Sequence, residues 1–132
     1  MNDAMILDAN AIIALLDGNK AIAQMLGTAK QVFVPAIVCG EIDAGTQGGS
    51  KRELAAREAF ASFLEMAQVS VLPIVRTTGE YYARLFSFLK STGTPIPTND
   101  LWIAASVLET GGVLITADKH LLSIPLIRTK SF

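Results

Sequence analysis

The alternation of short apolar segments with amphipathic segments constrains the fold of this chain more than any other feature. Apolar stretches of strand length lie at 4–7, 31–35, 69–74 and 113–116. Helical patterns lie at 10–16, 21–29, 35–44, 51–67, 77–90 and 99–110. Strands separated by helices run parallel, with helices over both faces of the sheet. We therefore predict an α/β fold, a three-layer α/β/α sandwich around a parallel sheet of four to five strands.

The length of 132 residues predicts a single domain spanning 1–132. No apolar run approaches the roughly 18 residues that a membrane-spanning helix requires, so we expect no membrane association. The start, MNDAMILD, lacks the basic residues of a signal peptide. The one cysteine, Cys39, has no partner for an internal disulfide and is expected to pack as a small apolar side chain. These features favour the cytoplasm.

Composition gives two further expectations, about protein partners and about nucleic acid. The chain is 51% hydrophobic with a mean hydropathy of +0.42, which is rich for a chain of this size and predicts apolar surface covered by other protein. The net charge of −1 argues against a generally basic nucleic-acid binder. If four acids are gathered at one metal site, the 11 basic residues outnumber the remaining acids, and the surface outside the site is mildly basic.

A carboxylate and an amide interrupt the apolar stretch ILDANAIIALL, at Asp8 and Asn10. An ionised carboxylate in apolar surroundings loses solvation worth several kcal/mol unless a cation or hydrogen-bond donors replace the water. No lysine or arginine lies within nine positions of Asp8. A helix cap is one explanation, because aspartate caps helices well. A ligand site is the other, and both stay open on this segment alone.

Three more acids occupy comparable positions. Glu41 shares a helix face with Ile37 and Val38, and Asp100 shares a face with Ile103, Ala104 and Val107, so both are expected to point inward. Asp118 follows the strand at 113–116, as Asp8 follows the first strand. Ligands bind at the carboxyl ends of parallel strands in α/β sheets. The other acids are expected at the surface: Asp3, Asp17, Asp43, Glu53, Glu58, Glu65, Glu80 and Glu109.

Four carboxylates brought together repel one another unless a cation separates them. Oxygen ligands without a cysteine or histidine partner suit Mg²⁺ or Mn²⁺. Such an ion can activate water and stabilise the leaving oxygen of an in-line displacement at phosphorus. The acids at positions 8, 41, 100 and 118 therefore predict a metal-dependent phosphodiester hydrolase.

The segments ILDANAIIALL, VPAIVCGEIDAG, TNDLWIAA and LITADKHL resemble, in this order, the PIN-domain family, and in particular the VapC-type toxins of toxin–antitoxin pairs. The resemblance implies a PIN-like α/β/α sandwich and a Mg²⁺- or Mn²⁺-dependent endoribonuclease that cleaves RNA. It implies that Asp8, Glu41, Asp100 and Asp118 are the catalytic and metal-binding acids, supported by Asn10 and Thr116. It also implies a cognate antitoxin as partner, and a homodimer.

The chain departs from the family pattern near two of these acids. Ala9 stands where the family often has Ser or Thr, so one supporting hydroxyl is absent. After Asp118 the segment ADKHLL offers Lys119 and His120, which are expected at the surface, although either is able to reach a substrate phosphate or the site. Trp102 is expected to pack within the protein rather than to stack on a base.

Two other functions fit the same layout. Phosphotransfer on Asp8, with Thr116 and Lys119 in support, is one, although Asn10 stands where haloacid-dehalogenase-like phosphatases need a second aspartate, and the adjacent acid pair of receiver domains is missing. A non-catalytic, metal-assisted interaction module is the other, favoured by Ala9 and by the apolar composition. Cleavage of RNA separates the nuclease from both.

Overall fold

A computed structural model of the chain describes residues 4–132. Five short strands form its sheet: β1 (Met5–Leu7), β2 (Val32–Pro35), β3 (Val69–Leu72), β4 (Val113–Ile115) and β5 (Arg128–Lys130). They stand in the order β3-β2-β1-β4-β5, and every neighbouring pair is parallel. The predicted α/β architecture with a central parallel sheet is confirmed.

Within the described part of the chain, seven helices connect and cover these strands: α1 (Ala9–Leu16), α2 (Lys20–Thr28), α3 (Ala36–Gly45), α4 (Lys51–Leu64), α5 (Arg76–Ser91), α6 (Thr98–Thr110) and α7 (Lys119–Leu122). Several of these helices begin with a residue whose side chain caps the helix. Asn19 accepts a hydrogen bond from the N–H of Ile22, and Ser50 accepts one from the N–H of Glu53, which satisfies first-turn donors that have no partner within their helix. The predicted helices match these bounds within a few residues.

The central strand β1 is paired on one side with β2 and on the other with β4. Leu7 and Ile115 are register partners at the carboxyl ends of β1 and β4. The N–H of Asp8 continues this ladder by donating to the carbonyl of Ile115 at 3.1 Å. The residues that follow the two strands therefore begin side by side, at the edge of the sheet where ligands bind in α/β proteins.

The strands are buried by apolar side chains from both sheet and helices. Ile6, Val34 and Leu114 from the strands and Ile12 and Ile103 from the helices are all completely buried. Gly111 follows the last residue of α6 and caps the helix, with a φ of 74° in the left-handed region that glycine adopts without strain. A Cβ on Gly112 would come within 2.6 Å of the Ala4 carbonyl oxygen, so glycine lets the chain enter β4 directly beside β1.

Three features differ from the sequence-based expectations. Strand β5 has the polar sequence RTK, so the apolar pattern of the sequence did not predict it. Helix α7 is a single turn that follows Asp118. Glu109, expected as a solvated surface residue, is partly buried and accepts hydrogen bonds from Thr77 and Thr78, at 2.7 Å for Thr78, which ties α6 to the start of α5. Asp3, also expected at the surface, lies outside the described residues.

Among the described residues, none of the helices combines the length and the apolar character that crossing a bilayer requires.

Candidate functional site

The Asp8 carboxylate is buried at the end of β1 and held by three donors. Its Oδ1 accepts a hydrogen bond from the N–H of Ala9 at 2.8 Å. Its Oδ2 accepts bonds from the Thr116 hydroxyl at 2.6 Å and from the Asn10 side-chain amide at 3.3 Å. Asp8 is also the N-cap of α1, so the cap explanation is correct as far as it goes. A cap alone does not require the hydroxyl and amide that also converge on this carboxylate.

Thr116 and Asn10 also hold the segment after β4. The Thr116 hydroxyl accepts a hydrogen bond from the N–H of Asp118 at 3.0 Å. The Asn10 side-chain oxygen accepts one from the N–H of Ala117 at 3.2 Å. Each of the two side chains thus bonds both to Asp8 and to the backbone that leads to Asp118. The relative positions of Asp8 and Asp118 are fixed by this hydrogen-bonded bridge.

Asp118 lies at the start of α7, where its side chain caps the helix. Its Oδ1 accepts hydrogen bonds from the N–H groups of His120, at 2.8 Å, and Leu121, at 3.2 Å. The Nδ1 atom of His120 lies 3.6 Å from Asp118 Oδ1 and 3.6 Å from Asp100 Oδ2. Asp100, Asp118 and His120 each offer one candidate metal-ligand atom, and these three atoms all lie within 4.8 Å of one another.

Glu41 projects from the second turn of α3 towards the same acids. Its Oε1 atom is buried and has no hydrogen-bond partner within residues 4–132. A buried carboxylate oxygen without a donor costs several kcal/mol of lost solvation unless a cation completes its environment. The protein therefore leaves this oxygen of Glu41 without the partner that a purely structural buried acid would have.

Burial and mutual repulsion act together on these carboxyl groups. Burial raises the pKa of Asp8, which the Thr116 hydrogen bond partly opposes, and Asp118 raises it further. Burial and then the charge of Asp8 raise the pKa of Glu41, while the nearby Asn99 side chain lowers it. The pKa of Asp100 rises to about 6, through burial first and then through the charges of Asp118 and Asp8. All four acids therefore lie within electrostatic range of one another.

The donor set fits a hard divalent cation. Carboxylate oxygens dominate it, as Mg²⁺ and Mn²⁺ prefer. The unpartnered Glu41 oxygen and the raised pKa values of Asp8, Glu41 and Asp100 are features of a site that a positive charge would stabilise. Asp100, Asp118 and His120 supply the candidate ligand atoms that lie within metal-bridging distance of one another. Asp8 and Glu41 lie outside this group, within electrostatic range of its acids.

Other residues singled out in the sequence have clear positions. Ala9 supplies its backbone N–H to Asp8, so the missing side-chain hydroxyl leaves Asp8 with three donors. Trp102 packs against Tyr82 with ring centroids 4.2 Å apart, which agrees with the packing role expected for it. Lys119 is exposed, and Cys39 is half-buried with its pKa raised mainly by burial.

Sequence reasoning gave too little weight to two residues near the acids. His120 was expected at the surface, and its side chain is exposed, yet its Nδ1 contacts two of the acids. Asn99 was not considered, although it precedes Asp100 directly and lies beside Glu41. A polar residue within two positions of a ligand candidate was the available signal in both cases, and the single turn of α7 that positions His120 was not visible in the sequence.

Comparison with known proteins places this arrangement in a family. The model of the PIN domain family matches residues 5–125, which is nearly the whole chain and includes all four acids. The chain belongs to the PIN domain family. This PIN domain is also similar to Ribonuclease VapC4 of Mycobacterium tuberculosis, with 32% identity over 93 residues, which are 70% of each protein.

Solved structures share the fold of this PIN domain along its length. VapBC-1 from nontypeable Haemophilus influenzae contains a chain with 28% identity and a TM-score of 0.83, and the match covers 97% of each chain. VapBC2 from Rickettsia felis, bound to a DNA fragment from its promoter, contains one with 20% identity and a TM-score of 0.84, covering 98% of each chain. The sequence-based identification of the family is confirmed.

Proposed function

We propose that this PIN domain is a Mg²⁺- or Mn²⁺-dependent endoribonuclease and the toxin of a toxin–antitoxin pair. The observation that carries the proposal is the convergence of Asp8, Glu41, Asp100 and Asp118 at one edge of the sheet, with a buried Glu41 oxygen that lacks a partner. The similarity to a protein named Ribonuclease VapC4 supports RNA as the substrate. The similarity to a chain of VapBC-1 supports an antitoxin as the partner.

A bound divalent cation would neutralise charge on the scissile phosphate and make water a better nucleophile near neutral pH. The protein's own contribution is to hold the ligands in place before the substrate arrives. Thr116, Asn10 and the Ala9 N–H fix both oxygens of Asp8, and the first turn of α7 fixes Asp118. Fixed ligands do not have to reorganise during the reaction, which is an important source of electrostatic catalysis.

His120 is proposed to contact the substrate from the exposed side of the site. Its imidazole lies within 3.6 Å of two acids while more than half of its side chain remains open to solvent. Lys119, next to it, is exposed as well. A phosphate oxygen that approaches the acids meets these two side chains, and both are able to donate a hydrogen bond to it.

The role of Asn10 disfavours the phosphotransfer alternative. Asn10 stands where haloacid-dehalogenase-like phosphatases need a second aspartate. Its side chain donates to Asp8 Oδ2 and accepts from the N–H of Ala117, so it supports the backbone and Asp8. An anchored ligand is the better role for Asp8.

An apolar groove on α1, α2 and α4 is the proposed site for an apolar helix of the antitoxin. The groove has a volume of about 570 Å³ and is lined mainly by aliphatic and aromatic side chains, among them Leu16, Leu26, Phe63 and Met66. Leu16 also lines a second cavity of about 150 Å³ that extends to Glu41. A partner chain that fills the groove can therefore continue towards the acids and place an arginine or lysine against them.

A second copy of the chain is proposed to pair on the side of the sheet formed by β3. This strand is an edge of the sheet. Val71 on the strand and Ile74 and Val75 after it expose 47%, 36% and 51% of their surface. Exposed edge strands with apolar neighbours are unusual in monomers, because they promote association. Sedimentation of the wild type and of Val71→Asp tests this, with a dimer and a monomer as the expected states.

Cleavage of RNA by the purified chain tests the function. We expect the wild type to cut single-stranded RNA with Mg²⁺ or Mn²⁺ and to be inactive in EDTA. Asp8→Asn and Asp100→Asn should each lose activity by at least about 100-fold while remaining folded. Asp43→Asn, an exposed acid on α3, is the matched control and should keep full activity.

Growth of the expressing cells distinguishes a toxin from a nuclease of another kind. Expression of the wild type should arrest growth, and expression of Asp8→Asn should not. Undiminished cleavage by purified Asp100→Asn would overturn the metal-site assignment. Free growth with the active wild type, in the absence of any partner protein, would remove the toxin assignment and leave the nuclease assignment in place.

A further inference from the structure

An aromatic cavity lies between the end of α5 and the start of α6. Its volume is about 220 Å³. The walls are formed by Tyr82, Phe86 and Leu89 from α5, by Pro95 and Ile96 from the connecting loop, and by Leu101 from α6, while Lys90 and Thr98 add polar groups at the lining. The cavity is thus mostly apolar, with a cation and a hydroxyl among its lining groups.

The aromatic side chains of this region form a short stack. Trp102 packs on Tyr82 at 4.2 Å, and the rings of Tyr82 and Phe86 are stacked 6.4 Å apart with an angle of 13° between their planes. Trp102 and Tyr82 are partly buried. Phe86 is the exposed end of the stack, with 52% of its surface open to solvent. An exposed phenylalanine ring at the end of an aromatic stack offers a face to another planar group.

The position of the cavity relates it to the acidic site. Helix α6 begins at Thr98, and Asp100 lies two residues further on in the same turn. The loop from 92 to 97 returns the chain from α5 to α6, so the end of α5 and the start of α6 lie at the same end of the molecule. Leu101 lines the cavity directly after Asp100 in sequence. Consecutive residues of a helix point about 100° apart, so the cavity opens on a different face of α6 from Asp100, although both lie at the start of the helix. A strand of RNA bound at Asp100 has to continue around this turn to reach the cavity.

We propose that this cavity receives a nucleobase of the RNA substrate, from a nucleotide next to the scissile phosphate, and that it sets a base preference for cleavage. The proposal rests on the proposed ribonuclease function. The Phe86 ring supplies the stacking face, Lys90 meets the backbone phosphate of the inserted nucleotide, and the Thr98 hydroxyl is available to an edge of the base.

The chemistry of the cavity favours a base over an apolar peptide side chain. Proteins that read single-stranded RNA splay bases out and stack them on aromatic rings, while basic side chains follow the backbone. The combination of Phe86 with Lys90 provides both elements within one turn of α5. A volume of about 220 Å³ lies below the range of about 300–1,000 Å³ typical of sites for larger ligands. It is suited to one planar ring system rather than to a helix.

The test compares Phe86→Ala with Phe86→Trp, which keeps a stacking face. Leu54→Ala is the control, because Leu54 is a similarly exposed apolar residue, at 46%, on α4 outside the cavity. Each protein digests a pool of short single-stranded RNAs randomised at every position, and sequencing of the products gives the base preference around each break. We expect Phe86→Ala to lose the preference at one position beside the break, with kcat/KM about tenfold lower. Phe86→Trp and Leu54→Ala should keep both.

A binding measurement tests the cavity without cleavage. In the Asp8→Asn background, single-stranded RNA that carries 2-aminopurine should show fluorescence quenching from stacking on Phe86. Adding Phe86→Ala should remove the quenching, and adding Phe86→Trp should keep it. Thermal unfolding of each variant verifies that it is folded.

Three results would overturn the proposal. One is the same base preference and rate in Phe86→Ala and in the wild type, which refutes the base cavity and leaves the ribonuclease intact. Another is a change of oligomeric state or of antitoxin affinity in Phe86→Ala with unaltered RNA cleavage, which assigns the cavity to protein contacts. The third is unchanged 2-aminopurine fluorescence when the labelled RNA binds the Asp8→Asn protein, in which the cavity residues are those of the wild type. Absence of any RNA cleavage by the wild type, in contrast, contradicts the proposed function itself.

Discussion

The Thr116 hydroxyl donates a hydrogen bond to Asp8 Oδ2 at 2.6 Å, although the two residues are 108 positions apart in the chain. Thr116 is completely buried, and the same hydroxyl oxygen accepts from the N–H of Asp118. One small side chain therefore joins the ends of β1 and β4 and sets the distance between two acids of the site. The geometry of the proposed metal site depends on a residue that is not expected to touch the metal.

Replacement of Thr116 by valine should damage both stability and ion binding. Valine has nearly the same shape but neither donates to Asp8 nor accepts from Asp118. We expect a loss of about 1–2 kcal/mol in the free energy of unfolding and about a tenfold weaker affinity for Mn²⁺, measured by urea unfolding and by calorimetry. Thr116→Ser keeps the hydroxyl and should retain the affinity. Equal affinities in the valine and serine variants would show that the bridge does not position the acids.

The raised pKa of Asp100 gives the metal-free protein a specific pH dependence. The folded state releases this proton at about pH 6, whereas an unperturbed aspartate releases it near 3.8. Between these values the folded state binds more protons than the unfolded state, so the free energy of unfolding falls as the pH rises through this window. At neutral pH the accumulated loss is on the order of 2–3 kcal/mol.

Asp100→Asn should remove this loss. In EDTA, its free energy of unfolding should exceed that of the wild type at neutral pH and should match it more closely near pH 4. Urea unfolding across this pH range is the measurement, and Asp43→Asn, which changes an exposed acid, is the control. If the free energy of unfolding of the wild type instead rose relative to that of Asp100→Asn between pH 4 and 6, the pKa of Asp100 would not be raised in the folded protein.

Glu41→Gln should reduce the stabilisation that a divalent ion confers. An ion that binds only the folded state raises the melting temperature in proportion to the logarithm of its concentration over Kd. The buried Glu41 oxygen lacks a protein partner, so an ion is expected to use it. Thermal unfolding with increasing Mn²⁺ should show a smaller rise in Tm for Glu41→Gln than for the wild type. Glu58→Gln, an exposed acid on α4, should behave as the wild type, and equal rises for all three proteins would exclude Glu41 as a ligand.

Truncation of the groove on α1, α2 and α4 should weaken antitoxin binding more than added salt does. Leu16 and Met66 line this groove and are partly exposed, so alanine at either position removes contact area without opening the core. We expect at least about tenfold weaker binding for each, because central apolar contacts carry much of the energy of an interface. Screening by salt should act only on the few charge pairs near the acids. Leu126→Ala, an exposed apolar residue outside the groove, is the control, and a larger effect of salt than of Leu16→Ala would contradict a mainly apolar interface.

Three of the acids were readable from sequence because each contradicted its apolar surroundings, and Asp118 was readable from its place after a strand. Asp8 follows a short apolar strand, and Glu41 and Asp100 share helix faces with aliphatic side chains, so the cost of burying a charge made them visible. The same logic failed for β5 and Glu109. An edge strand with one partner needs no apolar pattern, and Glu109 is satisfied by two threonine hydroxyls from another helix, a tertiary contact that no local spacing reveals.

Strand β1 is the centre of the sheet, flanked by two strands on either side. Amides in such a strand exchange their protons with solvent only when most of the protein opens, whereas terminal helices and edge strands open at smaller cost. Asp8 extends this strand, and its N–H belongs to the central ladder. Fraying of the periphery therefore leaves this acid in place. Local opening of the helices that carry Glu41, Asp100 and Asp118 removes those acids from a fixed Asp8, and their return rebuilds the site around the same fixed point.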